Sequence, residues 1–173
     1  MSSSSHEKNI AMKHSGQIMI AGIGSPHGDD QVGWEIVRQI QDRNIDSDLV
    51  CVRLARTPDE LLDWMSDFEQ LVICDACQGA GDVGSVHHWE WPCGQLETMQ
   101  WSGTHNLSLP AVLALAEQLG KLPDSVRIWG VEVAQAQPGQ SMTDPVKAGA
   151  IAVAETLCKE LAIPVKTAGT QHA

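Results

Sequence analysis

Long apolar runs are missing from this chain. None of its 173 residues lies in a stretch approaching the roughly twenty apolar residues that a membrane-spanning helix needs. The N-terminal segment has a run of serines and mixed charge, but no apolar core of the kind a secretory signal carries. Residues 1–16 are therefore expected to be a disordered tail. Basic side chains are scarce as well: 11 Lys and Arg stand against 22 Asp and Glu, a net charge of −11. That balance argues against nucleic acid and anionic membrane as partners, because both are bound by excess positive charge. The five cysteines are an odd number without the even spacing of a disulfide framework. Reduced thiols and a cytoplasmic location are expected. Neither the G-x-S-x-G nucleophile elbow nor the zinc-binding H-E-x-x-H occurs. No composition shift or internal repeat divides residues 17–164. One domain is expected there, with 165–173 as a flexible tail.

What is present concentrates first in residues 17–40, QIMIAGIGSPHGDDQVGWEIVRQI. Residues 18–23 are an apolar run that reads as a strand buried on both faces, as in a parallel sheet. Gly24, Ser25, Pro26, His27 and Gly28 break it with a tight turn. Asp29 and Asp30 follow, and then Trp34, Ile36, Val37 and Ile40 at helical spacing. Two adjacent carboxylates thus stand between a strand's carboxyl end and a helix's amino end, the crevice in which open α/β sheets bind ligands. One Asp ahead of a helix is ordinarily an N-cap. Two exceed what capping needs, and the second is a candidate ligand or acid. A flavodoxin-like nucleotide site is disfavoured: the glycines at 22 and 24 complete no dinucleotide pattern, and two acids repel a phosphate.

Further along, residues 48–54 read as a second strand. Thr57, Pro58 and Glu60 form a capping box opening a helix with Leu61, Leu62, Trp64 and Met65, which ends near Phe68. Residues 71–74 are a third buried strand, terminated by Asp75. This is a βαβαβ beginning, and such crossovers give parallel strands. If the first and third strands are neighbours, Asp30 and Asp75 can converge. Cys74 and Cys77 are formally C-x-x-C, but no second pair completes a zinc site, and the residues after Cys77 read as loop where a thioredoxin-like motif opens a helix. Cys74 is expected to be a buried strand cysteine. Residues 84–91 read as a short edge strand in which His87 and His88 face opposite sides, both structural. His105 lies in the small-residue loop 102–106, ahead of a helix capped by Ser108 and striped with Leu109, Val112, Leu113, Ala116 and Leu119. With the two aspartates it makes an O, O, N set, the ligand type of a three-residue metal site with open positions. Residues 126–134 are a further strand. Its Glu132 is either on the solvent face or a paired buried group. Asp144 and Pro145 begin a last helix.

The turn at 22–30, the strand ending in Asp75-Ala76, and Thr104-His105-Asn106-Leu107 before a helix resemble the nickel–iron hydrogenase maturation endopeptidases. Gly130-Val131-Glu132 and residues 141–146 are similar to that family's closing segment. Three departures fall outside the ligand positions: Gly24-Ser25 in a turn one residue shorter than usual, Gln31 where Gly follows the acidic pair, and Ala55-Arg56 where Gly-Gly is common. The resemblance implies a three-layer α/β/α sandwich with a mostly parallel twisted sheet. It implies an endopeptidase that removes the C-terminal extension of a nickel-loaded hydrogenase large-subunit precursor. Asp30, Asp75 and His105 would be the metal and catalytic residues, with Gly28, Asp29 and Thr104 lining the substrate and Asp29 capping the helix or orienting its neighbour. The nickel would arrive with the precursor, and the enzyme would act as a monomer. The residues leave open whether a metal-polarised water or a carboxylate-activated water attacks. They also leave a non-catalytic metal-sensing chaperone or binding module as the alternative.

Overall fold

The computed structural model describes residues 17–43, 48–102, 106–134 and 138–161. The expected tails, 1–16 and 165–173, lie outside them. Strand β1 (Ile18–Ile23) leads through a 3-10 turn at Gly28–Gln31 into helix α1 (Val32–Asp42). Strand β2 (Val50–Ala55) follows, then two 3-10 segments, Pro58–Asp63 and Met65–Asp67, and strand β3 (Gln70–Gln78). Strand β4 (Val86–Glu90), a 3-10 turn at Gly94–Thr98 and the two-residue strand β5 (Gln100–Trp101) precede helix α2 (Leu109–Gln118). Strand β6 (Ser125–Glu132) and helix α3 (Asp144–Glu160) complete the domain.

The strands lie in the order β2-β1-β3-β6-β4, with β5 added to β3. The pairs β1–β2, β1–β3 and β3–β6 are parallel, and β4 is an antiparallel edge strand on β6. Alternation along the strands divides the core into two halves. Met19, Ala21, Ile23, Leu71, Ile73 and Ile128 face α2 and the 3-10 segments. Ile20, Val72, Cys74, Trp129 and Val131 face α1 and α3. The result is the expected three-layer α/β/α arrangement around a mostly parallel sheet. Among the described residues no helix is long and apolar enough to cross a membrane.

Two elements differ from expectation. The segment after β2 is 3-10 where an α-helix was expected. Its capping box is present, with the Thr57 N–H donating to Glu60 Oε1 at 3.2 Å. Three aspartates and one serine fall between residues 58 and 67, residue types that compete for backbone groups and disfavour a regular helix interior. Strand β3 does not stop before Asp75 but runs on to Gln78, because β6 remains its partner as far as Cys77↔Glu132. Leu119, expected on the apolar stripe of α2, is the residue that ends that helix and is 56% exposed.

The C-x-x-C reading is excluded by the same alternation. Cys74 is buried toward α1 and α3, Cys77 toward α2, so the two thiols sit on opposite faces of the sheet. Burial pushes both thiols well up from the ordinary range, with the Asp75 charge adding to Cys74 and the Glu132 charge to Cys77. All five cysteines are free. The histidines of β4 serve packing: His87 stacks on Trp89, and His88 lies against Trp129 on the other face.

Candidate active site

The site is built where β1 and β3 part company. Their parallel ladder ends at Gly22↔Cys74. Beyond it β1 turns away, while β3 continues for three more residues beside β6. Asp75 is therefore the first residue of β3 without a β1 neighbour. It shares the face of Leu71, Ile73 and Cys77, which is the face covered by α2.

Close backbone contact brings Asp30 to the same corner. A Cβ on Gly33 would fall 2.1 Å from the Ile23 carbonyl oxygen and 2.5 Å from that of Cys74. A Cβ on Gly22 would meet the Gly33 carbonyl at 2.2 Å. Only glycine at both places lets the start of α1 rest directly on the ends of β1 and β3. Gly28 enters the 3-10 turn at φ 53°, in the left-handed region. The turn closes on itself, Ser25 N–H donating to the Asp30 carbonyl at 3.2 Å and Asp30 N–H to the His27 carbonyl at 3.1 Å.

The two carboxylates differ in environment. Asp30 is half-buried, and its Oδ2 accepts from Ser25 Oγ at 2.6 Å. Asp75 is fully buried; its Oδ1 accepts from the Ala76 N–H at 2.8 Å and from Ser102 Oγ. Its Oδ2 is buried with no hydrogen-bond partner among the described residues. Burial raises the Asp75 carboxyl well above the usual range. The Ser102 hydroxyl opposes that shift, and the nearby charge of Asp30 adds to it. A buried carboxylate with a bare oxygen beside a second carboxylate is chemically suited to a cation or a shared proton. The third expected ligand, His105, and Thr104 lie outside the described residues. Among the described residues no group of three His, Cys, Asp or Glu side chains could hold a metal ion.

Asp29 does not make the expected cap on the adjacent helix. Among the described residues no N-cap side chain bonds to α1 or to the 3-10 turn ahead of it. The carboxylate, 5% exposed, reaches across to the start of α3. There it accepts from the Thr143 N–H at 2.6 Å and from Thr143 Oγ at 3.0 Å. It caps a helix, but one 114 residues away in sequence. Glu132, which the sequence left undecided, is 6% exposed and accepts from the backbone N–H groups of Gly79 at 2.7 Å and Ala80 at 2.9 Å. It fixes the loop leaving β3. Reading the sequence did not single out Ser102. The two-residue strand β5 that delivers it pairs with Cys77 and Gln78, and so short an element has no periodicity to detect.

A family model described as HycI, hydrogenase maturation protease, matches residues 34–160. The chain belongs to the hydrogenase maturation protease family. The description of that family places the chain among hydrolases of peptide bonds. Solved structures of family members share its fold. The nickel–iron hydrogenase maturation protease HycI from Thermococcus kodakarensis is 21% identical with a TM-score of 0.68, over 88% of this chain and 96% of that one. The hydrogenase maturating endopeptidase HybD from Escherichia coli is 22% identical with a TM-score of 0.68, over 84% and 92%. An endopeptidase from Escherichia coli solved in solution is 23% identical with a TM-score of 0.72, over 84% and 91%. No curated protein matches the chain significantly. The family model begins at Trp34, past the acidic turn, so the match is independent of Asp29 and Asp30.

Proposed function

We propose that this member of the family is an endopeptidase that removes the C-terminal extension of a nickel-loaded hydrogenase large-subunit precursor. It would act as a monomer in the cytoplasm, a setting with which five free cysteines agree. The observation that carries the reading is the bare, fully buried Oδ2 of Asp75, set beside Asp30 at the carboxyl end of neighbouring parallel strands. In this reading Asp30, Asp75 and His105 take up the precursor's nickel, which enters as part of the substrate. Held there, the ion supplies polarisation of the scissile carbonyl or of a water. Asp75 contributes a carboxylate that is poorly solvated, so a cation relieves it of both its burial and the charge of Asp30. Asp30, half-exposed, stays open to the incoming chain. Gly28, whose Cβ-free backbone borders the turn, and Thr104 line the path of the precursor. Asp29 acts at one remove by holding the turn to α3.

The test is incubation with apo and nickel-loaded large-subunit precursor, followed by mass measurement. Loss of a C-terminal fragment from the nickel-loaded form alone is expected. Asp30→Asn, Asp75→Asn and His105→Ala should each abolish it, and a double variant should be no worse than either single, as for groups sharing one function. Tight binding with unchanged precursor mass would replace the protease reading with a metal-sensing binding module. Efficient cleavage of the apo form would remove the nickel from the mechanism.

A further inference from the structure

Each carboxylate of the site is tied through one oxygen, and in both cases a serine hydroxyl is the donor. For Asp75 the division is complete. Oδ1 takes two hydrogen bonds, from Ser102 Oγ and the Ala76 N–H, and Oδ2 takes none among the described residues. Buried polar atoms are almost always paired. An oxygen left bare while its twin is doubly held is an oxygen kept available. Ser102 is itself buried and firmly placed. It follows β5, whose Trp101 pairs with Cys77 in the ladder, donates its Nε1–H to the Leu96 carbonyl at 3.1 Å and packs edge-on against Trp89 with ring centres 5.6 Å apart.

We propose that Ser102 is a positioning residue for the cleavage reaction, fixing the rotation of the Asp75 carboxylate so that Oδ2 is the atom offered to the precursor's metal. The proposal rests on the reading of Asp75 as a ligand. The Ala76 N–H lies one residue along the same strand and by itself leaves the plane of the carboxylate free to turn about the Cβ–Cγ bond. Ser102, arriving after a different strand, supplies the second fixed point, its hydroxyl donating to Oδ1 and its backbone N–H also acting on the carboxylate; the hydroxyl is the larger of the two. Ser25 makes the equivalent contact to Asp30 on a partly exposed turn, where water competes with it; its contribution is the smaller. Partners that orient metal-ligating side chains typically alter metal affinity by about 10- to 100-fold.

The experiment compares the full chain with Ser102→Ala, Ser102→Thr, Ser25→Ala and Asp75→Asn. Three quantities are measured: the dissociation constant for inorganic nickel by calorimetry, KM and kcat with nickel-loaded precursor, and the thermal midpoint. Ser102→Ala is expected to weaken nickel affinity and raise KM by about 10- to 100-fold. Ser102→Thr, which keeps the hydroxyl, should return both to within about threefold of the parent, and Ser25→Ala should fall between the two. The thermal midpoint registers any purely structural loss. If Ser102→Ala lowers only that midpoint and leaves KM and nickel affinity at parental values, the proposal is overturned. If Asp75→Asn cleaves the precursor normally, the ligand reading falls, and this proposal with it. Loss in Asp75→Asn with none in Ser102→Ala overturns the positioning role alone.

Discussion

Asp29 offers a sharp test of the tertiary arrangement, because its local and long-range readings give different energies. If it merely capped the adjacent helix, Asp29→Asn would cost little and Asp29→Ala about 1 kcal/mol. In the folded protein its carboxylate is 5% exposed and accepts from Thr143 through both the N–H, at 2.6 Å, and the hydroxyl, at 3.0 Å. Hydrogen bonds to an ionised acceptor contribute about 1.5–3 kcal/mol each, and the exposure of Thr143 argues for the lower figure. Asp29→Ala removes both and withdraws a negative charge from the start of α3, where the helix dipole favours one. A loss of about 2–4 kcal/mol is expected. Asp29→Asn keeps one oxygen for the Thr143 N–H and turns its amide toward Thr143 Oγ, which can accept as well as donate. Its cost should stay near 1 kcal/mol. Urea denaturation of Asp29→Ala, Asp29→Asn, Thr143→Val and the double variant Asp29→Ala/Thr143→Val measures these values, and the cycle isolates the coupling. A coupling of at least about 0.5 kcal/mol is expected. Equal losses for Ala and Asn, or strict additivity with Thr143→Val, would refute the long-range cap.

Two other outcomes follow from the same geometry. Gly33→Ala forces a methyl to within 2.1 Å of the Ile23 carbonyl and 2.5 Å of the Cys74 carbonyl, both rigid backbone atoms. It should destabilise by about 3 kcal/mol or more and impair processing through displacement of Asp30; a stable, fully active variant would show that α1 does not rest on the strand ends. Asp75→Asn tests the burial of the carboxylate. Its carboxyl is raised well above the ordinary 3.8 by burial, so between the unfolded and folded values the folded state binds a proton that the unfolded chain has lost. Stability from this group is complete below about pH 4 and is lost as pH rises toward the folded value. The Asn variant should therefore gain thermal midpoint over the parent at pH 8, and the gain should shrink as pH falls to 4. A gain independent of pH would contradict the raised value.

The sequence by itself determined the class of fold and much of the site's raw material. Apolar runs marked β1 and the first half of β3, because a strand segment buried on both faces is apolar at successive positions. The stripes of α1 and α2 were legible at helical spacing, and the Ser108 cap on α2 is present, accepting from the Ala111 N–H at 3.3 Å. Asp30 and Asp75 stood out because Asp30 is the second of two adjacent carboxylates, one more than capping needs, and both follow apolar strand runs at the end of a sheet where ligands bind. Tertiary structure decided the rest. That β1 and β3 are neighbours and that Asp75 lies within a strand continued by β6 depend on strand order, which no local pattern encodes; once β3 runs on through Cys77, alternation puts Cys74 and Cys77 on opposite layers. The roles of Asp29, Glu132 and Ser102 were decided the same way. Each is defined by a partner 114, 53 or 27 residues distant, and a short polar side chain declares its partner only when folding brings the two together.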